Sequence, residues 1–178
     1  MSCTLKPNDL PRPADITVNG VAIPRGEIAL EVQHHPAPTA IEAWKAAARA
    51  LVIRELLLQE ASHLGIAAEP LSDEHGRREL TTEAIIRCLI EPQVKVPRPD
   101  EQACRRFYER NRDRHFSDAS FEAVAERIAA YLRTRAGRQA AADYVTGLIA
   151  RARIEGIDMS VAPGPHDRNE RVPCRPRI

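Results

Sequence analysis

The side chains of this chain that could do chemistry are few and scattered. His34 and His35 are adjacent and stand just before Pro36. Neighbouring residues on a helix point about 100° apart, so one ion would not easily collect both rings. A place at the C-terminal end of a short helix, or plain exposure to water, suits them better. The four cysteines, Cys3, Cys88, Cys104 and Cys174, contain no pair at the two-residue spacing of a zinc knuckle or a thioredoxin-like site. They read as free thiols, with Cys88 and Cys104 buried on helices and Cys3 and Cys174 in tails. A disulfide between the two tail cysteines would be out of place in a reducing compartment. Phosphate loop, dinucleotide fingerprint, nucleophile elbow and His-Glu-x-x-His are all missing, and none of the eight glycines adjoins another. No catalytic residue, cofactor or metal site is therefore expected.

The remaining reactive feature is a run of arginines, Arg105, Arg106, Arg110, Arg112 and Arg114, placed around Phe107 and Tyr108 and accompanied by Glu109 and Asp113. Basic residues beside aromatic rings can clasp nucleic acid or an acidic partner. The simpler arrangement is a helix whose charged side faces water while the rings pack inward. The whole chain argues against a long-range field: 26 Lys and Arg oppose 25 Asp and Glu over 178 residues, and the net charge is +1. With 43% apolar and 29% charged residues the composition is that of an ordinary globule large enough to bury a core. No run approaches the ~18 uncharged apolar residues of a membrane span, and the start MSCTLKPNDLPRP lacks the apolar stretch of a signal peptide. The cytoplasm is the expected location.

The elements that must carry these residues are mostly helical, since alanine is abundant, aromatics are 4% and β-branched runs are nearly absent. Residues 1–14 hold three prolines and no periodicity, the pattern of a disordered or loosely docked arm. In residues 15–24 apolar positions alternate across Asn19-Gly20, predicting a small hairpin. Ile28, Ala29 and Val32 share one face of a short helix stopped by Pro36 and Pro38. Thr39 and Glu42 form a capping box for a helix of about 25 residues, roughly 38 Å, which Gly65 closes. Its segment from Ala50 to Leu58 is apolar nearly all round apart from Arg54 and Glu55, which makes it the centre of the core. Residues 66–80 are an exposed connection.

Thr81 or Thr82 can cap a third helix that places Ile85, Cys88 and Leu89 on one face, before Pro92, Pro97 and Pro99 force an extended stretch. Asp100 is a good N-cap for a helix running to about Arg114, with Ala103, Cys104, Phe107 and Tyr108 as its apolar stripe. From Phe121 the apolar spacing continues to Ala152, predicting one helix of about 33 residues, roughly 50 Å, or two hinged near Gly137. Residues 154–159 alternate like a closing strand, and the proline-rich remainder is a tail.

Residues 16–23 (ITVNGVAI) together with 43–61 (AWKAAARALVIRELLLQEA) resemble the N-terminal region of bacterial parvulin-type peptidylprolyl isomerases, most closely the NifM-like and SurA-like subgroup. Residues 100–114 (DEQACRRFYERNRDR) look like the helix that precedes the parvulin domain in those proteins. Residues 121–132 (FEAVAERIAAYL) and 154–157 (IEGI) look like the helix and strand that follow it. The family places a whole parvulin domain between those parts, with a His-led strand and a Gly-Gly-x-Leu-Gly turn. Here only His115 to Ser120 joins them, and His166 is the one histidine further on. No isomerase residue can be carried over to any position of this chain.

The resemblance implies a mainly α fold: a helical chaperone module of the SurA N-terminal kind, with a small β element in which the N-terminal and C-terminal strands pair. It spans residues 15–159 as a single module built from two halves, 15–114 and 119–159, flanked by the arm 1–14 and a flexible tail 160–178. The function it implies is a folding or assembly factor without its own rotamase core, whose partner is an unfolded or partly folded client protein. NifM-like relatives serve redox metalloenzymes, which makes a metalloenzyme the implied client. Self-association into a homodimer is compatible with this reading. Trp44, Leu51, Phe107 and Tyr131 are the client-binding candidates, though each would serve equally as core.

Two other functions stand beside it. An active prolyl isomerase would have to lower a barrier of about 18–20 kcal/mol with an apolar proline pocket and an arranged polar group, neither of which is visible in the sequence. An Arg-rich helical nucleic-acid or regulatory binding protein would use the helix from Asp100, with steeply salt-dependent binding.

Overall fold

The computed structural model describes residues 15–116 and 119–160. The expected N-terminal arm, all but the first residue of the expected tail, and with them Cys3 and Cys174, lie outside the described residues. The chain is mainly helical, with one small antiparallel sheet made by strands from its N-terminal and C-terminal regions. By their contacts the described residues form two compact units, 15–59 with 148–160, and 60–147.

In the first unit β1 (Thr17–Val18) and β2 (Val21–Ala22) form the hairpin that Asn19-Gly20 predicts. Both turn residues have positive φ, 51° and 87°, as a two-residue turn matching the strand twist requires. β3 (Ile154–Glu155) pairs antiparallel with β1, setting Thr17 opposite Glu155 and Val18 opposite Ile154, so the sheet order is β2-β1-β3. Asn19 latches this pairing. Its backbone N–H donates to the Arg153 carbonyl at 2.8 Å, and its side-chain oxygen accepts from the Arg153 N–H at 2.9 Å. Its amide nitrogen donates to Gln59 at 2.8 Å, while Gln59 donates to the Val18 carbonyl at 3.2 Å.

The sheet rests on α2 (Ala40–His63), the long helix expected from the capping box. Thr39 Oγ1 accepts from the Glu42 N–H at 3.2 Å and donates to the Glu42 carboxylate at 2.9 Å. Ala47, Ala48, Leu51, Val52 and Leu56 from α2 bury themselves with Ile16, Val18, Ile23 and Ile28, and Ile149, Ala152, Ile154 and Ile157 pack around them. The alanines allow close approach and the branched residues fill the space between. α1 (Arg25–Glu31) buries Ile28 alone. Val32, four residues after Ile28, packs against the same cluster as expected, whereas Ala29, about 100° round the helix from Ile28, is exposed.

The second unit holds α3 (Thr81–Ile90), α4 (Glu101–His115) and α5 (Phe121–Arg151) through Gly147. The N-cap of α3 is Leu80, not a threonine: the Glu83 carboxylate takes the Leu80 N–H at 3.2 Å, so Thr81 is already the first helical residue. Ala84 and Leu89 are the buried positions of α3, which leaves Cys88 on its flank, only partly buried, against the expectation of a buried thiol. Arg87 reaches Glu79 with three hydrogen bonds of 3.0–3.3 Å, and these hold the Glu79 carboxyl below the usual carboxylate range.

Asp100 caps α4 as expected, accepting from the Ala103 N–H at 2.6 Å. Asp100→Ala should lower stability by about 1 kcal/mol in urea unfolding, whereas Asp100→Asn should keep most of it.

α5 passes through Gly137 as one continuous helix. That glycine marks a close approach and not a hinge: a Cβ there would stand 3.4 Å from the Val94 carbonyl oxygen. The contact is ordinary, so Gly137→Ala should raise the melting temperature, by the equivalent of just under 1 kcal/mol. A loss of stability would show that the 91–96 segment needs the bare backbone.

Candidate functional site

Five aromatic side chains of the second unit, Phe107, Tyr108, Phe116, Phe121 and Tyr131, gather between α4 and the first half of α5. Pro99 and the Asp100 cap set the phase of α4, so Cys104, Phe107 and Tyr108 fall on its inner side, where Phe121, Val124, Ile128 and Ala129 of α5 meet them. Phe107 stacks obliquely on Tyr131 with ring centroids 5.3 Å apart. Phe116, just past α4, sits 6.3 Å from the Phe107 ring and 5.5 Å from that of Tyr108. Tyr108 donates its hydroxyl proton to the Ala119 carbonyl at 2.6 Å, closing the corner between the helices.

The arginine run does not act as one patch. Arg105 turns to the opposite flank from Arg106 and Arg110. It pairs with Glu101 at 2.8 Å and lies 4.3 Å over the Phe121 ring, a cation–π contact. A concavity of about 450 Å³ on that flank is lined by both charge signs, among them Arg98, Glu122 and Glu126. Cys104 is buried there, and burial pushes its thiol above the usual range, so it is a packed side chain and no thiolate nucleophile.

On the other flank Arg106 and Arg110 edge an open groove of about 400 Å³. Phe107, Tyr131 and Leu132 contribute its apolar surface, and Arg135 its far wall. None of the groove's lining residues is acidic. A third concavity, about 560 Å³, runs along α5 beside Val94, Ala130, Gly137 and Ala141.

Of the four client-binding candidates, Phe107 and Tyr131 are thus brought together, half-buried, in one groove. The other two belong to the first unit's core: Leu51 is 9% exposed within the buried cluster and Trp44 packs half-buried against it. Arg135 escaped the sequence reading, although its position four residues after Tyr131 puts it on the same face of α5.

His35 pairs with Glu31 at 3.0 Å beside an exposed His34. Among the described residues no three His, Cys, Asp or Glu side chains are grouped to hold a metal ion, and no helix is long and apolar enough to cross a membrane.

Comparison with protein-family models, curated proteins and solved structures found no match to this chain.

Proposed function

We propose that this chain is a non-catalytic folding or assembly factor, a parvulin-related chaperone module without the isomerase domain, which holds apolar segments of an unfolded client. The observation that carries the reading is the open groove in which Phe107 and Tyr131 lie side by side, with Leu132 and Ala103, inside a rim of polar side chains. Burying apolar surface there drives association without a bond being made or broken. A groove of this size takes a few client side chains at a time, so binding is modest and transient.

Two further features support the reading. β3 pairs with β1, so the stretches that flank the absent insert begin and end in one sheet. Phe116 and Phe121, on either side of residues 117–118, are both buried in the α4–α5 cluster, as expected of a module that holds together without an inserted domain.

The test is aggregation of a thermally unfolding reporter enzyme, followed by light scattering with the full chain in stoichiometric excess. Suppression is the expected result, and its absence would overturn the proposal. A proline-limited refolding reaction is run in parallel. Its rate should match the buffer control, and a clear acceleration would assign prolyl isomerisation instead.

A further inference from the structure

We infer that the Phe107–Tyr131 groove docks a client segment of defined chemistry, an apolar or aromatic side chain flanked by aspartate or glutamate. The inference rests on the reading of the chain as a client-binding factor and specifies what that client must carry.

The argument is charge complementarity. Arg106 and Arg110 stand four residues apart on α4, and Arg135 faces the same groove from α5. Like charges at that helical spacing repel by a few tenths of a kcal/mol. Four other arginines of this unit do pair locally: Arg77 with Asp73, Arg87 with Glu79, Arg98 with Glu126 and Arg105 with Glu101. The three groove arginines have no acidic or hydrogen-bonding partner among the described residues. Glu109 and Asp113 share α4 with two of them, yet neither lines the groove. With no acidic side chain among the groove's described lining residues, the guanidinium groups suit the carboxylate of a bound segment, for which their planar fork is well matched.

A short acidic peptide fits better than a nucleic acid. Residues 60–147 carry 14 Lys and Arg against 15 Asp and Glu, so the unit has no extended positive field to follow a phosphate backbone.

Fluorescence anisotropy on the full chain tests this with three probes: a short fluorescein-labelled peptide with Leu-Phe-Leu between Asp and Glu residues, the same peptide with lysine for every acid, and an oligouridine. The acidic peptide should bind at least about tenfold more tightly than the other two, and Arg106→Glu with Arg110→Glu should abolish that preference. Both positions are exposed, so circular dichroism should be unchanged. Arg112→Glu with Arg114→Glu alters the net charge equally outside the groove and should keep the preference. Equal binding of both peptides, tighter binding of the oligouridine, or equal loss in the two double variants would each overturn the inference. Suppressed aggregation with no acidic preference would leave the holding function standing and remove this inference alone. Acidic preference without suppression would do the reverse.

Discussion

Phe116→Ala should lower the unfolding free energy of the second unit by about 3–5 kcal/mol, the range for removing a buried phenylalanine. Phe116 follows α4 immediately and is 2% exposed, with its ring against those of Phe107 and Tyr108. The deletion would leave a ring-sized void among residues held by two helices that meet at a short joint, and a joint of that kind collapses poorly. Urea unfolding followed by far-ultraviolet circular dichroism measures the loss, with Phe116→Leu as the milder companion at about half the effect or less. A loss under about 1 kcal/mol would mean that the α4–α5 joint is a passive linker, not part of the core. The support that Phe116 lends to the proposed insert-free module would then disappear.

Gly156→Ala should be the most damaging small substitution in the first unit. Gly156 follows β3 with φ at +82°, a region that costs an L-residue about 1–2 kcal/mol. A Cβ there would also stand 2.6 Å from the Asp15 carbonyl oxygen and 3.1 Å from the Ile16 Cα. Those atoms belong to the backbone leading into β1 and cannot swing aside as a side chain would, so β1 and β3 must part or shift. A total loss of about 2–4 kcal/mol is expected. Gly20→Ala separates the two causes, because Gly20 has φ at +87° but open space where the Cβ would go. It should lose only the conformational part, about 1–2 kcal/mol. Equal losses at the two sites, by thermal or urea unfolding, would show that the close approach of residues 15–16 to residue 156 contributes nothing.

Much of the fold was legible because its signals are local. Thr39 and Glu42 announced the start of α2 and Asp100 that of α4, each through a side chain that acts on backbone groups within three residues of itself, and Asn19-Gly20 announced the hairpin because both residues accept positive φ readily. The errors fall where pattern left a choice among neighbouring residues, or where a distant contact decided. Leu80 caps α3 because Glu83, three residues on, accepts its N–H, and Ala29 turns to solvent while Ile28 and Val32 pack on the core. Gly137 is continuous with its helix, and its neighbour there is Val94, 43 residues earlier in the chain, a relation no window of sequence contains.

The groove divides in the same way. Phe107, Tyr131 and the arginine run stood out by residue type alone, but their roles did not. Which arginines keep an internal partner depends on helix phase: Arg105 reaches Glu101 and Phe121, while Arg106, one residue on and about 100° around the helix, faces the Phe107–Tyr131 groove with Arg110 and Arg135. By itself, then, the sequence determined the helices, their caps, the hairpin and the supply of aromatic and basic side chains, since propensity and hydrogen bonding to nearby backbone act over a few residues. The tertiary structure alone decided that Trp44 and Leu51 are core, that Phe107 and Tyr131 share an open groove, and that three arginines around it lack a carboxylate partner among the described residues, since burial and charge pairing depend on residues far apart in the chain.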